Sequence, residues 1–417
     1  MENNLEAGNA SQGNTRSTED SWFRQFRNGA NPLMARYAYG VLFAGVNLFG
    51  WAIRDYGIRV LKGVKFAGFH ECKDGKDCLG AQGVLRVSLG CFLFYSVMFA
   101  STVGTKKLHG ARDKWHSGWW SVKIVFWMAL TVICFLIPSI LPEIYGEIAH
   151  IGAGIFLLVQ LISIVSFIKW LNDICLSEKY AERWRVYVAV VAAASYVICI
   201  VGIIMMFLWY APATTCLLNI FFITWTLVLL QLITSVSLHP KINAGFLAPG
   251  LMGLYIVFNC WCAIRSEPPE ETCFKSSHAR TADWLNIISF VIGVLTIVIA
   301  TFSTGIDSKS FQFKKQAVHP EEEDRTDHVP YGYGFFHFVF AAGAMYFAML
   351  LVGWNTRHHM QKWTIDVGWT STWVRIANEW LAVCVYIWML VAPVIFKSRG
   401  MEESTMRSEE VRDQHTV

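Results

Sequence analysis

The chain has 417 residues, of which 54% are hydrophobic and only 16% charged, with 18 tryptophans and a formal net charge of +4. A soluble protein of this length carries nearer a quarter charged residues, so the composition excludes a water-soluble globular domain and points to an integral membrane protein. The small positive excess is spread over loops, which excludes the basic tract that nucleic-acid binding needs.

The first 36 residues are polar, rich in Asn, Ser and Gly, and read as a disordered tail without a cleavable signal peptide. Apolar runs then predict an all-α polytopic protein of about ten transmembrane helices, near 37–54, 83–103, 121–141, 146–168, 186–210, 215–238, 247–264, 283–304, 334–354 and 374–396. A polar tail, 397–417, follows. The third and fourth spans are joined by Leu141-Pro142-Glu143, and the fifth and sixth by Ala211-Pro212-Ala213, both tight hairpins.

An even number of spans puts both termini on one side of the membrane. With the N-terminus cytosolic, the inside segments hold about 21 Lys and Arg against about 10 on the other side, so both termini are expected in the cytosol. The long connections are then an exoplasmic loop at 55–82 and a cytosolic loop at 305–333. In the latter, Lys309, Lys314 and Lys315 precede the acidic run from Glu321 to Asp324. The sequon Asn9-Ala10-Ser11 would face the cytosol unused.

From Pro142 to Trp184 there is no further proline, and the apolar middle is flanked by charge-bearing helix formers, which predicts one long helix of about 60 Å. Such a helix must tilt or protrude. Glu143, Glu147 and His150 share one face near its start; Gln160, Ser163, Trp170 and Asp173 fall together farther along and are candidates to line a groove. Two readings stay open: carboxylates merely wetted among headgroups, or a polar stripe that guides something amphiphilic.

Ionisable residues in or beside spans concentrate in the exoplasmic half: Arg54, Arg86, Glu143, Glu147, His150, Asp283, Arg375 and Glu379. They can be ion pairs that tie helices together, with Arg375 and Glu379 spaced as an i,i+4 pair. They also suit a phospholipid headgroup, whose phosphate and ammonium need both signs, and Arg86, Asp283, Arg375 and Glu379 join Glu143, Glu147 and His150 as headgroup candidates. Deeper polar groups, among them Asn47, Asn219, Gln231, Asn259, Asn286, His337 and Asn378, read as interhelical hydrogen bonds or a wet groove.

Cys72 and Cys78 flank an Asp-Gly turn in the exoplasmic loop and are candidates for a disulfide, with Cys216, Cys260, Cys262 and Cys273 as competing partners. A zinc site there would have only His70 as a third ligand, so no metal is expected. The chain has no GxxxxGK[ST], GxSxG or HExxH, and His358-His359 lacks ligand spacing. The expectation is a protein without cofactor and without enzymatic chemistry.

Four stretches carry a resemblance: KWHSGWWSVK (114–123), IGAGIFLLVQLISIVSFIKWLND (151–173), PYGYGFFHFVFAAGAMYFAMLLVGW (330–354) and STWVRIANEWLAVCVYIWMLVAPVI (371–395). In order and spacing over residues 35–397 the chain resembles the serine incorporator family. NPLMARYAYGVLFAG stands where animal members carry a cysteine-rich stretch, which is similar to the plant branch. The resemblance implies ten helices in two subdomains bisected by a long tilted helix, and an endomembrane or plasma-membrane location. It also implies either passive movement of phospholipids between leaflets or delivery of serine to the enzymes that make phosphatidylserine and sphingolipids. The expected partners are membrane phospholipids, serine and those enzymes. Small residues in the spans (Gly152, Gly154, Gly343, Ala344) permit close helix contacts and a homo-oligomer.

Overall fold

Helix boundaries in the protein fall where caps, prolines and glycines place them. The computed structural model describes residues 31–57, 76–176, 178–268, 291, 295, 298–305, 329–354 and 365–414, and these residues form helices with no strand among them. Asp283, Asn286, Cys72, Cys273, His358 and His359 lie outside the described residues, as do the loops that hold them.

Helix α1 (Pro32–Tyr56) starts with Asn31 as cap, its side chain accepting from the Leu33 N–H at 2.9 Å, and with proline in the first turn, where a missing N–H costs nothing. It occupies the first expected span. Glycines, tyrosines, Asn47 and the terminal Arg54–Asp55 pair (2.7 Å, buried) leave it outside the set apolar enough to cross a membrane by composition.

Helices α2 (Lys76–Thr102), α3 (Ala111–Ser117) and α4 (Trp120–Leu136) follow. The α3–α4 pair is bent by 70° at Gly118-Trp119, where Trp119 takes a left-handed φ of 58°. The third expected span is therefore a straight helix preceded by a short angled one.

Helix α5 (Ile140–Leu176) is the expected long helix, 37 residues or about 55 Å at 1.5 Å per residue. It stops short of Trp184, because the helix formers from Glu178 onward open α6 (Glu178–Tyr210) instead. Helices α7 (Leu217–Ser237), α8 (Leu247–Arg265), α9 (Tyr333–Val352) and α10 (Trp369–Gln414) complete the described set.

The polar residues 397–414, expected as a loose tail, continue α10. Apart from Gly400 they are mostly good helix formers with no proline, so the helix already under way propagates through them. Among the described residues, α2 and α5 to α10 are long and apolar enough to cross a membrane, making seven candidates, or eight if α3 and α4 count as one bent span. The expected eighth span, 283–304, lies mostly outside the described residues.

The chain forms two compact units, Met1–Ala153 with Val291–Ala348, and Gly154–Phe290 with Met349–Val417. In the first, α2 packs on α1, α3 and α4 around an aromatic core that includes Tyr39, Phe43, Phe94, Tyr95, Phe336 and Phe340. Close backbone approach needs glycine there. A Cβ at Gly90 would lie 2.9 Å from Thr131 Cα, and one at Gly152 only 1.8 Å from Met345 Sδ. Gly154, by contrast, faces open space.

In the second unit α8 is central, packed on α6, α7 and α10 through Ile203, Phe222, Ile233, Met252, Ile256 and Val383. The outward residues of α6, such as Val186, Val190, Val197, Val201 and Ile204, are exposed and apolar. A lipid-facing helix requires that inversion.

Candidate functional site

Along α5 the structure separates the predicted stripe. Glu143, Glu147, Trp170 and Asp173 are exposed, His150 and Gln160 are half-buried, and Ser163 is buried with no hydrogen-bond partner for its hydroxyl. Glu143 Oε1 accepts from Gln82 Nε2 at 3.2 Å, and His150 Nδ1 lies 2.9 Å from the Gly146 carbonyl, one turn back on its own helix.

Arg86 is fully buried. Its Nη1 donates to the carbonyls of Cys134 and Ile137, each at 2.7 Å, and so satisfies the carbonyls that the end of α4 leaves open. In this position it acts as a charged helix cap.

Arg375 and Glu379 have separate partners. Arg375 pairs with Asp366, and Glu379, fully buried, accepts from or donates to Thr226 Oγ1 at 2.8 Å. Beside them Asn378 Nδ2 donates to the Tyr255 hydroxyl at 2.9 Å, and Asn259 Nδ2 to the Tyr255 carbonyl at 2.9 Å. The first turns of α10 thus place a mixed-charge, amide-rich cluster against α7 and α8. Asp366 holds a left-handed φ of 59° just before it, fixed by its N–H on the Leu350 carbonyl at 2.9 Å.

Just past the end of α8, Glu267 is 5% exposed. Burial pushes its carboxyl up to about 7, against the opposing effect of a hydrogen bond with Asn219. Because the folded protein holds this proton more tightly than the unfolded chain, the stabilisation is complete below the ordinary carboxylate range and is lost as pH rises through about 7. The difference in melting temperature between the wild type and Glu267→Gln is therefore expected to change between pH 5 and pH 8. A constant difference over that range would remove Glu267 as the titrating group.

A second cluster, in the first unit, was not visible in the residue patterns. His116 ends α3 fully buried, its ring stacked on Tyr333 at 3.9 Å between centroids. Its Nε2 lies 2.9 Å from the Tyr331 hydroxyl and its Nδ1 lies 3.0 Å from His337 Nε2. Tyr331 donates its one proton to the Pro32 carbonyl at 3.0 Å, so it must accept from His116 Nε2–H. A neutral His116 then accepts at Nδ1 from His337, which leaves His337 Nδ1 buried without a partner. The chain of donors runs one way, from His337 through His116 and Tyr331 to the start of α1.

Lys123 is enclosed beside it. Its Nζ donates to the His116 carbonyl at 2.8 Å and lies 4.7, 5.2 and 5.4 Å from the ring centroids of Trp120, Tyr39 and Trp115. Three aromatic faces and one carbonyl replace water around the ammonium. Asp113 is held by the Tyr333 hydroxyl at 2.7 Å and the His109 N–H at 2.9 Å. An apolar span that contains a lysine next to a Trp-Trp pair was the available signal.

Cys216 is disulfide-bonded, while Cys91, Cys134, Cys175, Cys199, Cys260, Cys262 and Cys384 are free. The expected pairing of Cys72 with Cys78 falls outside the residues whose side chains are described. Among the described residues no three His, Cys, Asp or Glu side chains come together as metal ligands.

Comparison with known proteins places these features in a family. The family model for Serine incorporator (Serinc) matches residues 16–325 and 307–399. A probable serine incorporator of Nematostella vectensis is 26% identical over 377 residues, covering 79% of this chain and 82% of the relative. Serine incorporator 2 of Mus musculus is 24% identical over 367 residues (78% and 80%), and Serine incorporator 5 of Danio rerio is 23% identical over 381 residues (78% and 82%). A match that runs through nearly the whole chain, on a helical membrane protein with these packed polar clusters, means that the chain belongs to the serine incorporator family.

Proposed function

We propose that the protein moves phospholipids between the leaflets of its membrane by a passive, ATP-independent route of scramblase type, as a transporter rather than an enzyme. The observation that carries this reading is the exposure of α5. Over about 55 Å it presents Glu143 and Glu147 at one end, half-buried Gln160 midway and Asp173 at the other, with exposed Ile144, Ile148, Ile151 and Ile155 between them. A headgroup can move from polar group to polar group while its acyl tails stay against isoleucine and lipid. The Arg375–Asp366 pair, partly exposed on its arginine side, offers both signs of charge to a headgroup.

Both termini lie in the cytosol on this reading. The disulfide at Cys216 supports it, since the turn before α7 then faces an oxidising compartment.

The test is reconstitution into liposomes with fluorescent phospholipid in both leaflets, bleached by a membrane-impermeant reductant without ATP or serine. Bleaching well past the outer-leaflet half is expected. Glu143→Gln with Glu147→Gln should slow it about fivefold, as about 1 kcal/mol of exposed electrostatic contact is lost, while melting is unchanged because both side chains are exposed. Bleaching that stops at half in sealed vesicles sinks the proposal.

The names of the relatives support a second reading, a carrier that supplies serine for lipid synthesis. Saturable serine binding by protein that fails the bleaching assay would favour it.

A further inference from the structure

Glu379 is fully buried on α10, and its Oε2 has no hydrogen-bond partner among the described residues. Its Oε1 meets Thr226 Oγ1 of α7 at 2.8 Å, and the same hydroxyl lies 2.9 Å from the Phe222 carbonyl. Arg375, one turn earlier on α10, is paired with Asp366.

Thr226 has one proton and two oxygens within its reach. If Glu379 were ionised, an enclosed carboxylate would hold a single hydroxyl hydrogen bond and one bare oxygen. Burying a charge on those terms costs far more than one hydrogen bond returns. If Oε1 carries a proton, the acid donates to Thr226 Oγ1, and Thr226 donates to the Phe222 carbonyl four residues back, a bond that threonine makes readily in helices. Every hydrogen is then used, and Oε2 is only a neutral carbonyl oxygen.

We propose that Glu379 is a proton-binding site in the last membrane span, holding one proton as a neutral acid that bridges α10 to α7. The titratable groups on the neighbouring helices are Cys260 and Tyr255 of α8, with Tyr386 farther along α10 and Glu267 just past the end of α8. None of these is a cation, and the cation one turn earlier on α10, Arg375, is held by Asp366. Release of the proton requires that water enter or that the α7–α10 contact part. The occupied site therefore favours the packed form of this unit, whether or not the protein moves lipid.

Infrared difference spectra of the full-length protein in nanodiscs at pH 7 test this. A Glu267→Gln background removes one other buried carboxyl of this unit; the remaining one among the described residues, Asp366, is paired with Arg375. Glu379→Gln is expected to delete one carboxylic-acid carbonyl band, and Thr226→Val, which keeps the acid but removes its acceptor, is expected to shift that band. If Glu379→Gln does not fold, the shift in Thr226→Val alone supports the site. A spectrum with no carboxylic-acid band lost in Glu379→Gln, or with none moved by Thr226→Val, overturns it.

Discussion

Replacing Arg86 with methionine is expected to lower the apparent melting temperature of the detergent-solubilised protein by on the order of 10 °C. The guanidinium makes two 2.7 Å charge-assisted bonds to the carbonyls of Cys134 and Ile137, and bonds of that class contribute about 1.5–3 kcal/mol each. Methionine fills much of the volume, but it leaves the end of α4 with open carbonyls and removes the positive charge that favours a helix C-terminus. A loss of about 3–5 kcal/mol follows. Arg86→Lys should recover only part of it, because one ammonium cannot reproduce the forked geometry. Equal melting of wild type and Arg86→Met would show that the cap contributes nothing. Lipid movement by the folded fraction should be unchanged, which distinguishes a cap from a headgroup ligand.

The second large effect is expected at His116. His116→Phe preserves a ring to stack on Tyr333, and the His116 carbonyl still receives Lys123 and the Tyr39 hydroxyl, at 2.8 and 3.0 Å. Only the two ring-nitrogen bonds are lost, which leaves His337 Nε2 without a partner and Tyr331 with one fewer. Orphaned buried polar groups cost about 1–3 kcal/mol each, so a destabilisation of about 2–5 kcal/mol is expected in thermal or denaturant unfolding. Combining His116→Phe with Tyr331→Phe should cost less than the sum of the two, since both remove the same bond. Strict additivity would mean that the His116–Tyr331 bond carries no coupling.

The long helix was legible in the sequence because no further proline occurs from Pro142 to Trp184 and the middle is mostly apolar, which is information held locally. The 70° bend at Gly118-Trp119 left only a Ser-Gly dipeptide as a trace, and an exposed tryptophan with a left-handed φ has no signature in residue type.

For the candidate site, the list of ionisable residues was useful but their partners were not readable. Arg375 and Glu379 stand four apart on one helix, yet Asp366 and Thr226 take them, because burial against α7 and α8 decides what four-residue spacing leaves open. Arg86 drew attention as a charge in a span, and its role as a cap depends on carbonyls 48 and 51 residues away. The partners of the His116 ring, Tyr331 and His337, come from more than 200 residues later in the chain and leave no local pattern.

That distance has a consequence for how the protein is made. The first unit is completed by residues 291–348, after most of the second unit has been synthesised. His116 waits for Tyr331 and His337, 215 and 221 residues later in the chain, an interval of roughly 10–45 s at about 5–20 residues per second. During that time both ring nitrogens of buried His116 lack their later partners in a bilayer that offers few hydrogen bonds. Biogenesis therefore has a vulnerable interval fixed by chain order, and an insertion chaperone that shelters α1 to α4 would act in that interval rather than after translation ends.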